Sequence, residues 1–279
     1  MAGQGPFAHP ADAPRHTRNS PRAAGASCIA APDSAGAAKE GPMFSAFQDR
    51  SDAGRRLAEK LRGYAGRPDV LVLGLARGGV PVASEVARAL DLPLDVFIVR
   101  KLGVPGHEEL AMGAIATGGV RVLDSEMIRA LRIPESSVAK VTSDEHRELE
   151  RREEAYRRMR PTPDVRGKTV ILVDDGLATG ASMFAAVTAL RKSEPAAVVV
   201  AVPVAAPDSC AAMHRIADDC VCVLAPRHFR GVGLWYDDFS QTTDAEVRLH
   251  LEDAARRRGT DLHRRDSAPV RTPLASPPC

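Results

Sequence analysis

From Val70 onward, the chain alternates short runs of β-branched and aliphatic residues with longer stretches of helical period. Such alternation is typical of right-handed βαβ units that build a mostly parallel sheet. It predicts an α/β fold: a mostly parallel twisted sheet flanked by helices. The predicted strands are Val70–Leu75, Leu94–Arg100, Thr169–Val173, Ala197–Val204 and Cys220–Leu224. The predicted crossover helices are Val80–Leu90, Gly180–Lys192 and Asp208–Ala217.

The two ends of the chain lack this pattern. Residues 1–42 are dense in Ala, Pro, Gly and Ser, so we predict a disordered leader. An amphipathic spacing begins at Met43. We take Met43 as a candidate alternative translation start, which leaves open whether residues 1–42 belong to the native protein. We therefore predict a domain over residues 43–255 and a disordered tail, rich in Arg, Ser and Pro, over residues 256–279.

A long charged helix is predicted over residues 134–160. Its acids lie four residues before arginines, the favourable orientation, in the pairs Glu148 and Arg152, Glu153 and Arg157, and Glu154 and Arg158. Acids and bases balance, whereas a helix that binds nucleic acid would carry a basic excess. We interpret it as a solvated helix or a contact in a homodimer.

Composition narrows the classes of partner. The formal net charge is +2, from 38 basic and 36 acidic residues, so the total charge gives no electrostatic argument for a nucleic-acid partner, although it leaves a local basic face open. The longest apolar stretch, residues 196–206, is too short to span a membrane and contains Pro203. Five scattered cysteines without paired spacing indicate reduced thiols and a cytoplasmic location. His214 and His228 show no spacing typical of a metal site.

The most informative stretch is Val170–Ser182, with the sequence VILVDDGLATGAS. A buried strand, two acids and a small-residue loop precede a helix, and Thr179 and Ser182 add hydroxyl donors. Backbone N–H groups and a helix N-terminus there suit an anionic group. Two adjacent carboxylates suit a sugar diol with magnesium nearby, so the pattern indicates a phosphorylated sugar. The alternative is a strand that ends in a plain Asp-Gly turn.

Other phosphate-binding motifs fit less well. The loop lacks the GK[ST] ending of a nucleotide-hydrolysing P-loop, and Gly74–Gly79 does not have GxGxxG spacing. VILVDDGLATGAS instead resembles the signature with which type I phosphoribosyltransferases bind 5-phosphoribosyl-1-pyrophosphate (PRPP). The resemblance in organisation extends from about Met43 to about Asp253. It is greatest to bacterial members of unassigned substrate, and it implies a small hood beside the sheet.

The resemblance implies roles for each residue of the signature. Asp174 and Asp175 would hold the two ribose hydroxyls, next to Gly176 and Leu177. The 5-phosphate would be wrapped by Ala178, Thr179, Gly180, Ala181 and Ser182. Magnesium is the implied cofactor.

A second glycine-containing loop follows the first predicted strand. Paired glycines let the backbone approach a ligand closely. By the resemblance, Ala76, Arg77, Gly78 and Gly79 form a pyrophosphate loop, and Arg77 pairs with the leaving group; the alternative is a turn with a surface arginine. Arg100 and Lys101 would add cations at the same sheet edge, or else form a solvated strand end.

Two further segments have weaker signals. Residues 102–113, with three glycines and His107, suit a mobile lid, and His107 suits equally an ordinary loop residue. Trp235 and Tyr236 occupy the place of base-binding residues in purine-transferring relatives, and Asp237 is a candidate magnesium ligand. Aromatic packing beneath a surface loop is the alternative.

These features predict an enzyme that transfers the phosphoribosyl group of PRPP to a nitrogen acceptor with release of pyrophosphate. Asp174, Asp175, Arg77 and Lys101 are the predicted catalytic residues. Orotate, purines, uracil and a non-nucleobase amine remain open as acceptors. The alternative is a PRPP-binding regulatory protein without transfer activity, because a ligand site does not by itself fix function.

Overall fold

The computed structural model describes residues 46–157 and 161–266. Its helices are α1 (Arg50–Lys60), α2 (Gly79–Leu90), α3 (Ser125–Ala130), α4 (Glu135–Arg157), α5 (Ala181–Arg191), α6 (Pro207–Ile216) and α7 (Asp244–Asp266). Its strands are β1 (Val70–Leu75), β2 (Leu94–Phe97), β3 (Val99–Val104), β4 (His107–Ala116), β5 (Val120–Leu123), β6 (Thr169–Val173), β7 (Ala197–Val204) and β8 (Asp219–Leu224). The predicted disorder of residues 1–42 lies outside the described residues.

Five strands form a parallel sheet in the order β2-β1-β6-β7-β8. Every residue of β1 and β6 is buried, as expected of central strands covered on both faces. The chain moves from β1 outward to β2, and from β6 outward to β8, so the strand order reverses between β1 and β6. In open α/β sheets, ligands bind in the crevice at the carboxyl ends of the strands at such a point. The α/β prediction is confirmed.

One predicted strand is divided between two sheets. The parallel strand β2 ends at Phe97, and β3 begins at Val99 in a second sheet with the antiparallel order β3-β4-β5. The prediction of a single strand Leu94–Arg100 is therefore wrong. The apolar run passes without interruption through Ile98, whose N–H donates to Thr117 Oγ1, so no polar residue indicates the change of sheet.

The stretch predicted as a lid loop, residues 102–113, is mostly regular structure. It lies in β3 and β4, which are joined at the two-residue turn Pro105-Gly106, and Gly106 has a φ of 78°. Such a turn favours a residue with positive φ. His107 pairs with Val104 at the first position of β4.

The long charged helix is confirmed as α4 between Glu135 and Arg157, and its last predicted residues, 158–160, lie outside the described part. Glu148 contacts Arg152 at 2.8 Å and Glu153 contacts Arg157 at 3.0 Å, as predicted. The helix is not merely solvated: Val138, Leu149 and Tyr156 are buried against the second sheet and α7.

The last helix was not predicted. Between Asp244 and Arg258, the part of α7 whose burial is described, the last buried residue is Ala254, and the helix continues to Asp266. The predicted boundary of the tail at residue 256 therefore falls within α7, and residues 267–279 of the predicted tail lie outside the described residues. No helix in the described ranges combines the length and apolarity needed to cross a membrane.

Helices α1 and α2 approach each other closely at Gly54. A Cβ at Gly54 would lie 2.7 Å from both Glu85 Cβ and Val82 O.

We expect Gly54→Ala to lower the free energy of unfolding by about 1–3 kcal/mol through overpacking, although alanine favours a helix over glycine by about 1 kcal/mol. Urea unfolding measures the difference. Gly63→Ala is the control, because a Cβ there meets nothing within 4 Å; equal stability of the two variants would contradict this account of the packing.

Candidate phosphate and ribose site

The candidate site lies where the loops that follow β1 and β6 meet. After β1, residues Ala76–Gly78 lead directly into α2, and the Ala76-Arg77 peptide bond is cis. After β6, residues Asp174–Gly180 lead into α5. Neither helix has a side-chain cap at its N-terminus. Two sets of helix N–H groups therefore begin at the same edge of the sheet, an arrangement that favours anions.

The two loops are in close contact because two residues lack side chains. A Cβ at Gly78 would lie 2.1 Å from Asp175 Oδ2. A Cβ at Gly79 would lie 2.5 Å from the Val173 carbonyl oxygen and 2.8 Å from Asp174 Cα. All three distances are shorter than van der Waals contact permits. Two glycines at this point are therefore required for the acidic pair to lie against the first loop.

Leu177 fixes the middle of the loop after β6 against the neighbouring strand. Leu177 is buried, its N–H donates to Val204 O, and its carbonyl accepts from Ala206 N–H. Gly180 begins the turn into α5 with a φ of 78°, a conformation that glycine adopts without strain. Of the residues predicted to wrap a phosphate, Gly180 is buried, and the other four are exposed, namely Ala178, Thr179, Ala181 and Ser182.

The surroundings of the Asp174 and Asp175 carboxyl groups disfavour their ionised forms. Burial raises the pKa of Asp174 well above its ordinary value, the adjacent Asp175 raises it further, and a hydrogen bond from the Asp175 N–H opposes the shift. Burial also raises the pKa of Asp175, and Arg50 opposes that shift. Hard carboxylate oxygens with excess negative charge fit a magnesium ion. A cation at this pair would stabilise its ionised form.

Arg50, the first residue of α1, holds Asp175 in place. Its Nε and Nη2 atoms each lie 2.9 Å from Asp175 Oδ2, and its Nη1 donates to the Ser240 carbonyl at 2.7 Å. Its guanidinium also stacks over the Phe239 ring at 4.0 Å. Sequence reasoning missed Arg50, because 125 residues separate it from Asp175 and it resembles its surface neighbours Arg55 and Arg56.

Residues from the two ends of the domain form a small hood beside the acidic pair, made of residues 46–48 and 232–239. The Phe47 N–H donates to Trp235 O, and the Asp237 N–H donates to Phe47 O. The Tyr236 hydroxyl donates to the Asp175 carbonyl at 2.6 Å. Val232 covers Gly176, where a Cβ would lie 2.4 Å from Val232 Cγ1. The hood therefore fixes the backbone of the acidic loop.

The predicted base-binding aromatics differ in exposure. Tyr236 is only 5% exposed and packs against Phe47 and Phe239, so its ring has no accessible face for a base in this structure. The prediction of a stacking role for Tyr236 is therefore replaced by a structural one. Trp235 is partly buried, and its Nε1 atom is buried without a hydrogen-bond partner among the described residues. Asp237 is exposed, and its predicted role as a magnesium ligand stays a prediction.

The predicted cations lie in different environments. Arg77 lies in the first loop, where its Nη1 is 3.5 Å from Asp244 Oδ1, and both side chains are about one-third exposed. An ion pair of this kind contributes only about 0–1 kcal/mol, so Arg77 can exchange partners at low cost. Arg100 donates to Glu145 of α4 at 2.6 Å. Arg100 and Lys101 lie in β3, not at the end of a parallel strand as predicted.

Comparisons with known proteins agree with this geometry. A sequence model of the phosphoribosyl transferase domain family matches residues 44–234. The chain belongs to this family. It is 46% identical over 210 residues to two Mycobacterium tuberculosis proteins, "Putative phosphoribosyl transferase MT0597" of strain CDC 1551 and "Putative phosphoribosyl transferase Rv0571c" of strain H37Rv. The match covers 75% of this chain and 47% of each relative, so the chain spans about half the length of the curated relatives it matches.

A solved structure shares the fold. The phosphoribosyl transferase domain of this chain is similar to the crystal structure of TT1426 from Thermus thermophilus, with a TM-score of 0.67 and 43% identity. The alignment covers 74% of this chain and 98% of that one. The family predicted from the loop after β6 is therefore confirmed.

Loss of Arg50 tests its role as the partner of Asp175. Both side chains are largely buried, with exposures of 12% and 16%. Since Arg50→Met leaves the Asp175 carboxylate unpaired, we expect it to lower the free energy of unfolding by about 1–3 kcal/mol. Arg50→Lys, which keeps the charge but not the geometry of the guanidinium, should lose less. Chemical denaturation at neutral pH measures both.

The matched control is Arg55→Met on the same helix, whose contact with Asp52 is exposed. It should change stability by at most about 0.5 kcal/mol. Equal losses from Arg50→Met and Arg55→Met would show that the Asp175 contact has no special importance.

The raised pKa of Asp174 predicts a stability that depends on pH. A carboxyl group whose pKa is higher in the folded than in the unfolded protein makes folding less favourable as pH rises through that interval. Asp174→Asn removes this effect, so we expect its Tm at pH 7 to exceed that of the wild type by about 2–4 °C, a gain of about 1 kcal/mol. Toward pH 4 the wild-type carboxyl binds a proton, and the advantage should shrink.

Differential scanning calorimetry across this pH range measures the effect. Glu154→Gln on the exposed face of α4 is the control and should show no such trend. A less stable Asp174→Asn variant at pH 7 would contradict the description of this acidic pair.

Proposed function

We propose that this protein transfers the 5-phosphoribosyl group of PRPP to a nitrogen acceptor and releases pyrophosphate. The observation that carries the proposal is the contact between two uncapped helix N-termini and a strained acidic pair in the crevice between β1 and β6. PRPP carries a phosphate at one end of its ribose and a pyrophosphate at the other, with two free hydroxyl groups on the ring. The two loops and the acidic pair match these three parts.

The loop after β6 suits the phosphoribosyl end of the substrate. Backbone and hydroxyl groups of residues 178–182 would donate to the 5-phosphate, and the N-terminus of α5 would stabilise its charge. Asp174 and Asp175 would accept hydrogen bonds from the two ribose hydroxyls. Because Arg50 already occupies Oδ2 of Asp175, we assign the ribose contact of this residue to its other oxygen.

The loop after β1 suits the leaving group. Residues 76–79 and the N-terminus of α2 would bind pyrophosphate, with Arg77 moving from Asp244 to the leaving oxygens. We propose Arg100 and Lys101 of β3 as further cations for the pyrophosphate, with Arg100 exchanging Glu145 for the leaving group. Asp174 and Asp175 fit magnesium, which when bound would neutralise charge on the pyrophosphate.

The transfer itself needs no covalent intermediate on the protein. The acceptor nitrogen forms a bond to C1 of the ribose as the bond from C1 to the pyrophosphate oxygen breaks, and pyrophosphate takes the electron pair. Positive charge develops on the sugar, as in glycoside hydrolysis. The protein's contribution is to align the acceptor with C1 and to stabilise the departing negative charge.

The identity of the acceptor, a cytoplasmic location and a homodimer remain predictions. Trp235 is the aromatic residue proposed to contact a base, because its partly buried ring lies in the hood beside the acidic loop. Tyr236 is not proposed for that role.

The test is magnesium-dependent release of pyrophosphate from PRPP against a panel of orotate, purines, uracil and small amines. We expect acceptor-dependent release by the wild type and a loss of at least about 100-fold in an Asp174→Asn, Asp175→Asn double variant, because charge and orientation are both removed. The matched control is Asp218→Asn with Asp219→Asn. This adjacent acidic pair lies at the amino end of β8, whereas the candidate site lies at the carboxyl ends of the parallel strands.

Release that is equal in the wild type and the acidic-loop variant would contradict the proposed site. PRPP binding without acceptor-dependent release for any member of the panel would favour the PRPP-binding regulatory protein instead.

A further inference from the structure

A cluster of sulfur and imidazole groups lies outside the proposed substrate site, between α6 and β8. The Sγ atoms of Cys210 and Cys220 are 3.6 Å apart. These two sulfurs and a ring nitrogen of His214 all lie within 4.8 Å of one another. A disulfide bond is about 2.05 Å long, so the two sulfurs are in contact without being bonded to each other.

The fold explains why these residues from a helix and a strand meet. Cys210 and His214 are four residues apart on α6 and therefore lie on one face of the helix. Cys220 lies on β8, against which α6 packs. Cys222, two residues further along the same strand, shares the face of Cys220, and its Sγ lies 3.4 Å from that of Cys210. Sequence spacing could not indicate this cluster, because its members come from two elements.

The distances agree with those of a metal site. Zinc binds thiolate sulfur at about 2.3 Å and imidazole nitrogen at about 2.0–2.1 Å, usually in tetrahedral geometry. Two sulfurs on such an ion are separated by about 3.8 Å, close to the 3.6 Å between Cys210 and Cys220. Sulfur and nitrogen donors together favour zinc over magnesium or calcium, which prefer oxygen.

We propose that Cys210, Cys220 and His214 form a binding site for a zinc ion. Both cysteines are buried, whereas His214 is exposed, so the site joins the protein interior to the surface. Each thiol that binds as a thiolate releases its proton to solvent, and affinity rises with pH.

Such an ion would connect α6 to the phosphate loop. Ser209, next to Cys210, donates from its hydroxyl to the carbonyl of Ala178. The terminal methyl group of Met213 lies 3.3 Å from the position of a Cβ at Gly180. A metal ion that fixes α6 against β8 therefore stabilises the surface on which the phosphate loop rests.

The test is titration of the reduced, metal-free full chain with Co²⁺, followed by displacement with Zn²⁺. Tetrahedral cobalt with thiolate ligands absorbs in the visible region and shows sulfur-to-metal charge transfer in the near ultraviolet. We expect both signals to saturate at one cobalt per chain and to disappear when zinc is added. The measurement is independent of enzymatic activity and of PRPP, so its failure would leave the proposed function untouched.

Two variants identify the ligands. His214→Gln changes an exposed side chain, so it should fold normally and still lose metal affinity. Loss of a group that merely orients a ligand costs about 10- to 100-fold in affinity, so loss of the ligand itself should cost at least as much. Cys220→Ala should abolish the charge-transfer signal, with circular dichroism to confirm folding. His228→Gln, another exposed histidine, should bind cobalt as the wild type does.

The proposal is overturned if the wild type shows no charge-transfer signal. It is also overturned if His214→Gln binds cobalt as tightly as His228→Gln, because the metal would then use other ligands.

Discussion

The close approach of Gly78 and Gly79 to the acidic pair is the contact on which the site depends. Side chains at these positions would overlap Asp175 and the end of β6, since a Cβ would lie 2.1 Å from an oxygen at the first position and 2.5 Å at the second. Without them, the loops after β1 and β6 meet at the reversal of strand order, and two helix N-termini begin beside a pair of carboxylates. The partial positive charges of the helix N-termini and the negative charges of the carboxylates are thereby fixed within one crevice.

This arrangement has a cost in stability. Asp174 and Asp175 lie side by side and are only partly exposed, and their desolvation raises the pKa of both. Arg50, Tyr236 and the hood hold the pair in place through a guanidinium contact and a hydrogen bond to the Asp175 carbonyl. Active sites often retain such unfavourable groups because a ligand with complementary charge relieves them. The same contacts explain why the two ends of the domain pack together beside the loop.

The parts of the molecule that could be predicted are those whose sequence pattern lies within one continuous segment. Strands β1, β6 and β7 and helix α4 follow from runs of apolar residues and from acid-base pairs four residues apart. The loop after β6 also carries its chemistry within thirteen consecutive residues, so its family could be recognised before the fold was known. Two acids, a glycine and hydroxyl residues in this order have few other physical explanations.

The remaining parts depend on contacts between distant residues. Arg50 looks like its surface neighbours until the fold brings it to Asp175. The move from β2 to β3 occurs within an apolar run, so hydrophobic pattern could not separate the two sheets. The burial of Tyr236 follows from its packing with Phe239 and with Phe47, which lies at the other end of the domain in sequence. Cys210 and Cys220 meet because α6 packs on β8.

The most direct measurement of the central claim is calorimetric titration of the full chain with PRPP in the presence of magnesium. The account predicts saturation at one PRPP per chain for the wild type, and no detectable heat of binding when Asp174 and Asp175 are both replaced by asparagine. A folded wild-type protein that does not bind PRPP would contradict it.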